Sequence, residues 1–116
     1  MSVQIAVLGA GRIGQVHARA IAGHDAAVLA AIADPIVAAA NVIADQYGCD
    51  VRTIDEIAAS DDVDGVIICT PTDTHANLIE KFVHCGKAIF CEKPIDLGVA
   101  RVRACLEVVN LSLIHI

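Results

Sequence analysis

Three segments concentrate residue types that could hold and use a nucleotide. The first is Gly9-Ala-Gly11-Arg-Ile-Gly14, which fits G-x-G-x-x-G. It follows a short apolar run and opens a helical pattern, the setting in which this spacing has a physical meaning. Gly9 permits a tight turn. Gly11 lets a pyrophosphate approach the backbone with no Cβ in the way. Gly14 lets the helix lie close to the strand before it. The helix start then offers unpaired N–H groups and a partial positive charge to phosphate.

About 20 residues beyond Gly14 stands Asp34, closing the second apolar run. A carboxylate there can accept hydrogen bonds from the two hydroxyls of an adenosine ribose. Bonds to a charged acceptor contribute roughly 1.5–3 kcal/mol each. The same charge repels a 2′-phosphate, and Pro35 brings no cation beside it, so NAD is favoured over NADP. Asp34 could also cap the next helix with Pro35 at its first position, and the two roles are compatible. An FAD or S-adenosylmethionine site uses similar positions, so the loop by itself leaves those ligands open.

The second segment is Cys69-Thr70-Pro71-Thr72-Asp73-Thr74-His75, and the third is Cys91-Glu92-Lys93-Pro94. Each follows an apolar run, so each falls at the carboxyl edge of a sheet, where ligands bind in open α/β folds. Lys93 could hydrogen-bond a substrate hydroxyl and assist its deprotonation during hydride transfer. It could equally be a snorkelling surface lysine, with Pro94 a plain turn residue. His75 reads equally well as a ligand contact or as a helix-start residue without a chemical role.

The elements that must position these residues alternate. Val3 to Leu8 reads as a strand, and Arg12 to Ala22 as a helix with Ile13, Val16, Ala20 and Ile21 near helical spacing. Strands follow at 26–33, 49–52, 63–69 and 87–91. Helices are expected over 36–47, with Pro35 in the first turn, and over about 54–59 behind a Thr53/Glu56 capping box. Two more are expected from a Thr72 or Asp73 cap to about His84, and from Gly98 to Val109. Strands separated by helices must run parallel through right-handed crossovers. The expected fold is a Rossmann-type, doubly wound α/β sheet of strand order 3-2-1-4-5.

Composition agrees with a buried parallel sheet. Of 116 residues, 56% are hydrophobic and only 3% aromatic. The mean hydropathy is +0.64, which excludes a disordered chain. No apolar run reaches the ~18 residues of a membrane helix. A net charge of −6, without a basic stripe, argues against nucleic acid as a partner. The five cysteines form no CxxC pair, so neither a zinc site nor a disulfide framework is expected. No metal is expected. Small apolar thiols and the absence of a basic leader fit a cytoplasmic protein.

Taken together, the three segments resemble the N-terminal domain of the Gfo/Idh/MocA oxidoreductases. The matching residues are Gly9 to Gly14 with Val16-His17, Asp34, Cys69-Thr-Pro-Thr-Asp-Thr-His75, and Cys91-Glu-Lys-Pro-Ile-Asp-Leu97. The last of these, with Asp34, is most similar to the inositol 2-dehydrogenase branch. The resemblance covers about residues 2 to 110. It implies that Gly9, Ala10, Gly11, Arg12 and Ile13 border the pyrophosphate, with Gly14 completing the loop, and that Asp34 holds the adenosine ribose. Thr70, Pro71, Thr72 and His75 would line the cofactor. Glu92 and Lys93 would reach the nicotinamide ribose and the substrate, with Pro94 beside them. Lys93 is the one catalytic residue the resemblance assigns to this chain. The implied reaction is NAD-dependent oxidation of a cyclic polyol or sugar hydroxyl to a ketone. A catalytic Asp and His, and the surface for homo-oligomer contacts, would lie on a second domain.

The resemblance also implies a sixth strand and that second domain, neither of which follows here. Residues 1–110 therefore read as an incomplete Rossmann domain, inactive without its substrate domain. Leu111 to Ile116 reads as a non-family tail, similar to a translated transposase adapter. The expected consequences are an open edge at the fifth strand and partial exposure of Val102, Leu106 and Val109. A stand-alone NAD-binding or redox-sensing module is the alternative. A related branch, biliverdin reductase-like or another sugar dehydrogenase, would share the first motif. A short-chain dehydrogenase would need Tyr-x-x-x-Lys, but Val51 stands four residues after Tyr47, the only tyrosine.

Overall fold

Short runs of Val, Ile, Leu and Ala can form central strands only where helices cover both faces. The computed structural model, which describes residues 2–92 and 98–113, has that arrangement. In chain order the elements are β1 (Val3–Leu8), α1 (Arg12–Ala22), β2 (Ala27–Ala33), α2 (Val37–Tyr47), β3 (Asp50–Val51), α3 (Ile54–Ala58), β4 (Gly65–Ile68), α4 (His75–His84), β5 (Ala88–Cys91) and α5 (Val99–Leu113). The strands are all parallel, in the expected order β3-β2-β1-β4-β5.

Alternation along the strands divides the core into two layers. Val7, Leu29 and Ile32 pack with Ala18 and Ile21 of α1 and with Ala40 and Ile43 of α2. On the opposite face, Ala6, Leu8, Val66 and Ile68 pack with Ile57 of α3, Ala76, Ile79 and Phe82 of α4, and Cys105 of α5. Phe82 is fully buried and is the largest side chain in the core.

The register brings the chemistry to one edge. Leu8 lies opposite both Ala33 and Ile68, and Ile68 lies opposite Cys91. The residues that follow are Gly9, Asp34, Cys69 and Glu92, which therefore stand in a row at the carboxyl edge. Backbone bonds continue the ladder across this row: Gly9 N–H to Ala33 O (2.7 Å), Cys69 N–H to Leu8 O (2.7 Å) and Glu92 N–H to Ile68 O (3.1 Å).

Several element boundaries differ from expectation for local reasons. Helix α2 starts at Val37, and Pro35 lies outside it, because Asp34 Oδ1 accepts the Ile36 N–H (2.8 Å) and leaves Ile36 as the extended N-cap. Neither Thr72 nor Asp73 caps α4. Residues Thr72–Thr74 form a 3-10 turn and α4 begins at His75, because the Thr74 hydroxyl bonds backward to Pro71 O (2.6 Å). Helix α5 runs past Val109 to Leu113, since no glycine or proline interrupts it there. Strands β3 and β4 are shorter than expected at both ends. At the described end of the sheet β5 is an edge, and on α5 Leu106 is 48% exposed, with Val102 and Val109 half-buried.

The capping box forms as expected. Thr53 Oγ1 accepts the Glu56 N–H (3.1 Å), and Glu56 Oε1 accepts the Thr53 N–H (2.9 Å). That backbone bond holds the Glu56 carboxyl below its usual range. A depressed carboxyl stabilises the fold above its unfolded pKa, and this contribution fades as pH falls through the folded value. Thr53→Ala should cost about 1 kcal/mol, read by urea unfolding at neutral pH.

Candidate functional site

The glycine loop shows why each of its glycines is there. Gly9 has φ +105°, and a Cβ on it would stand 2.7 Å from Cys69 O. A Cβ on Gly14 would stand 1.8 Å from Gly9 O, so α1 can dock on the loop only through glycine. A Cβ on Gly11 would meet nothing within 4 Å. Gly11 is therefore not required by packing; it borders open space at the start of α1. It is the N-cap of that helix, with no side-chain cap and no acidic residue in the first turn. The first-turn N–H groups and the positive end of the dipole are thus left for an external anion. These are the features a pyrophosphate needs, and the loop fits one.

Asp34 stands beside this loop and braces it. Its Oδ2 accepts the Ala10 N–H (2.7 Å) while Oδ1 accepts the Ile36 N–H (2.8 Å). A carboxylate has about four acceptor positions, so each oxygen keeps one for a ribose hydroxyl.

The turn after β4 is stitched from within. The Thr74 hydroxyl spends its proton on Pro71 O, so Thr70 must donate in the 2.6 Å contact between the two hydroxyls. His75 is buried beneath this turn, with Nε2 2.7 Å from Thr70 O. A carbonyl only accepts, so Nε2 carries the hydrogen. His75→Ala would leave the Thr70 carbonyl without this donor and should destabilise the fold by about 1–3 kcal/mol in denaturant titration.

These parts enclose a cleft of about 970 Å³. Of the residues expected at the site, Gly9, Gly11, Asp34, Thr70 and Pro71 line it. Ala10 and Gly14 are buried behind the loop, while Arg12 and Ile13 are exposed at the head of α1. Thr72 sits half-buried in the 3-10 turn, and His75 supports the wall from below. Glu92 is half-buried beyond the cleft, paired with His17 of α1. Lys93 and Pro94 lie outside the described residues.

The outer wall was not foreseen in the sequence. Pro35 and Ile36 form one side, Thr53, Ile54 and Asp55 another, and Asn77 and Leu78 of α4 a third, with Cys69 and Thr74 below. Salt bridges tie these helices together: Lys81 Nζ to Asp55 Oδ1 (2.6 Å), and Arg101 to Glu80, with a further bond to Asn77 Oδ1 (2.6 Å). Arg52, beside Thr53, bonds Asp50 (2.9 Å) and Asp62 (3.0 Å) and fixes the start of α3. The capping box at Thr53 was the one available signal, since it places a helix start at the same edge of the sheet. Polar atoms are few in the wall around Ile36, Ile54 and Leu78, which suits the flat apolar face of a base.

The thiols at this edge are held protonated. Burial, and then the Glu92 charge, push Cys69 up to about 12. Burial raises Cys91 to about 11. Neither is a nucleophile at neutral pH. Among the described residues no group of three His, Cys, Asp or Glu side chains could hold a metal ion. No described helix is long and apolar enough to cross a membrane.

Comparison with known proteins places the geometry. The oxidoreductase family described as having an NAD-binding Rossmann fold, Gfo/Idh/MocA, matches residues 3–112. Inositol 2-dehydrogenase of Rhizobium meliloti (strain 1021) is 64% identical over 110 residues, which is 95% of this chain and 33% of that protein. Scyllo-inositol 2-dehydrogenase (NAD(+)) of Bacillus subtilis is 37% identical across 93% of this chain and 32% of its own length. The structure of scyllo-inositol dehydrogenase from Lactobacillus casei, with bound NAD(H) and scyllo-inositol, superposes with a TM-score of 0.90 at 28% identity. That match covers 97% of this chain and 34% of the other. The chain thus spans about a third of the length of the relatives it matches.

Proposed function

The chain belongs to the Gfo/Idh/MocA oxidoreductases as an NAD-binding Rossmann domain, and on that premise we propose that it is the cofactor-binding part of an inositol 2-dehydrogenase-like enzyme. The reaction is oxidation of a ring hydroxyl of a cyclic polyol or sugar to a ketone. The observation that carries the cofactor side is the open flank of Gly11 next to a carboxylate that still has acceptor capacity. The substrate class rests on the inositol dehydrogenases among the relatives.

Bound NAD supplies the hydride acceptor. The chain's own residues hold and orient it. The α1 N-terminus takes the pyrophosphate, with Gly9 and Gly11 keeping the backbone bare. Asp34 takes the adenosine ribose and, by its charge, disfavours a 2′-phosphate. The apolar wall of Ile36, Ile54 and Leu78 takes the adenine. Thr70 and Pro71 border the path toward β5. Glu92 and Lys93 serve the nicotinamide side, and Lys93 assists removal of the hydroxyl proton as the catalytic residue, with Pro94 shaping its turn. Thr72 and His75 contribute by supporting the cofactor-facing turn.

The reading extends to a cytoplasmic, homo-oligomeric enzyme without nucleic-acid or membrane partners. Five free cysteines support the cytoplasmic part of this reading, and the net charge of −6 supports the lack of a nucleic-acid partner. The test is inositol-dependent NAD reduction by the enzyme that contains this chain. Lys93→Met should lower kcat by about 10²–10⁴-fold, a loss well beyond any it causes in NADH affinity. Unchanged turnover in that variant would remove Lys93 from the chemistry.

A further inference from the structure

One long-range contact at the carboxyl edge has no part in the cofactor account given so far. His17 lies on α1, the helix whose N-terminus faces the pyrophosphate. Its Nε2 meets Glu92 Oε1, across 75 residues of sequence. The ring also packs on Phe90 of β5, with centroids 5.7 Å apart and planes tilted by 60°. Glu92 is itself pinned at its backbone to β4, through Ile68 O. The contact therefore ties three elements at one point: the phosphate-binding helix, the end of β4 and the end of β5.

The placement decides what this point could serve. A dinucleotide crosses the edge of such a sheet at the switch between β1 and β4, with one half on each side. Asp34 marks the adenosine half, on the β2 side. Glu92 therefore lies on the nicotinamide half, and its charge is felt by Cys69, which lines the cleft. A carboxylate only accepts, so His17 must be the donor. An exposed histidine would cost little to lose, but His17 and Glu92 are 23% and 34% exposed. Partly shielded charge-assisted bonds of this kind are among the stronger ones.

We propose that His17 is a positioning residue for the nicotinamide half of the site. It fixes the Glu92 carboxylate relative to the phosphate-binding helix, and with it the point from which the chain leaves toward Lys93. The geometry at the nicotinamide half is thereby referenced to the phosphate-binding helix by one side chain, while the pyrophosphate position itself does not depend on it. The inference rests on the NAD-binding reading and adds to it a role for a residue that does not touch the cleft.

The test compares two nucleotides on the enzyme that contains this chain. ADP reaches only the adenosine and pyrophosphate positions, whereas NADH also needs the nicotinamide half. Each is titrated into wild type, His17→Leu and His17→Gln. Leucine keeps apolar packing on Phe90 and removes the donor. Glutamine keeps a donor that can reach Glu92. His17→Leu should weaken NADH binding about tenfold while the ADP dissociation constant stays within about twofold. His17→Gln should recover most of the NADH affinity. Equal weakening of both nucleotides, no weakening of either, or failure of both variants to fold would each overturn the proposal. If wild type binds neither nucleotide, the NAD-binding reading fails and the proposal falls with it. If wild type binds both and only the NADH-selective loss is missing, the reading stands and His17 is merely structural.

Discussion

Gly14→Ala should unfold the glycine loop, whereas Gly11→Ala should leave the fold intact and abolish nucleotide binding. At Gly14 the added methyl would stand 1.8 Å from Gly9 O. Gly9 cannot yield. Its N–H is bonded to Ala33 O at 2.7 Å, and its open flank faces Cys69 O so closely that a Cβ there would stand 2.7 Å away. Helix α1 must therefore lift from β1, which breaks the packing of Ala18 and Ile21 against the sheet. Overpacking of this severity costs about 3 kcal/mol or more, on the order of 10 °C or more in Tm for a domain of this size. At Gly11 the methyl meets no protein atom, and the backbone (φ −74°, ψ −166°) is one that alanine adopts. Its Tm should stay level or rise slightly, because alanine loses less chain entropy than glycine on folding. The methyl would occupy the space a pyrophosphate needs, and NADH binding should fall at least about a hundredfold. Thermal unfolding and NADH fluorescence titration on both variants check the pair. If Gly11→Ala bound NADH like wild type, the phosphate would not lie against this turn.

Asp34→Ala should lower NADH affinity about a hundredfold and, separately, lower the stability of the empty protein. The carboxylate binds Ala10 N–H and Ile36 N–H before any ligand arrives. Its removal frees the glycine loop as well as the adenosine ribose. Each charge-assisted bond contributes about 1.5–3 kcal/mol, so the loss of two ribose bonds alone accounts for the hundredfold. The bracing bonds then appear as lower stability of the empty protein, by about 1–3 kcal/mol. Asp34→Asn keeps one acceptor oxygen and should fall between the two, with its discrimination against a 2′-phosphate weakened because the charge is gone. Isothermal titration with NADH and NADPH, together with urea unfolding, separates the effects. An Asp34→Ala protein of unchanged stability would show that the brace carries no weight.

Much of this architecture is legible in the sequence. Strand β1 and helix α1 fall on the residues expected, because an apolar run closed by Gly9 and a helical pattern opened at Arg12 leave little choice. Parallel strands followed from strict alternation of strand and helix, and their order is that of the Rossmann type to which the glycine loop points. Boundaries slipped where side chains compete with backbone. Asp34 captures the Ile36 N–H and delays α2, and the Thr74 hydroxyl turns back to Pro71 and delays α4. Local propensity does not register such bonds, since the choice between cap and turn is made by a single hydrogen bond.

The site divides in the same way. Its floor was legible because Gly9, Gly11, Asp34, Thr70 and Pro71 lie within motifs. Its outer wall was not, because Ile36, Ile54, Asn77 and Leu78 belong to no motif, Thr53 is marked only as a helix cap, and all meet only through the topology. The contact between His17 and Glu92 was hidden for the same reason. Residues 75 positions apart declare a bond only once β5 has been placed beside β4. Leu111, inside the tail read as foreign to the family, continues α5 and falls within the span that the family matches.

The central claim is that the chain binds NAD across the glycine loop, with Asp34 choosing NAD over its 2′-phosphorylated form. Parallel titration of the 116-residue chain with NADH and NADPH tests it most directly. Saturable NADH binding, with NADPH at least about tenfold weaker, is the result expected from a carboxylate facing the ribose. NADPH binding as tight as NADH, or no NADH binding by folded protein, would contradict it.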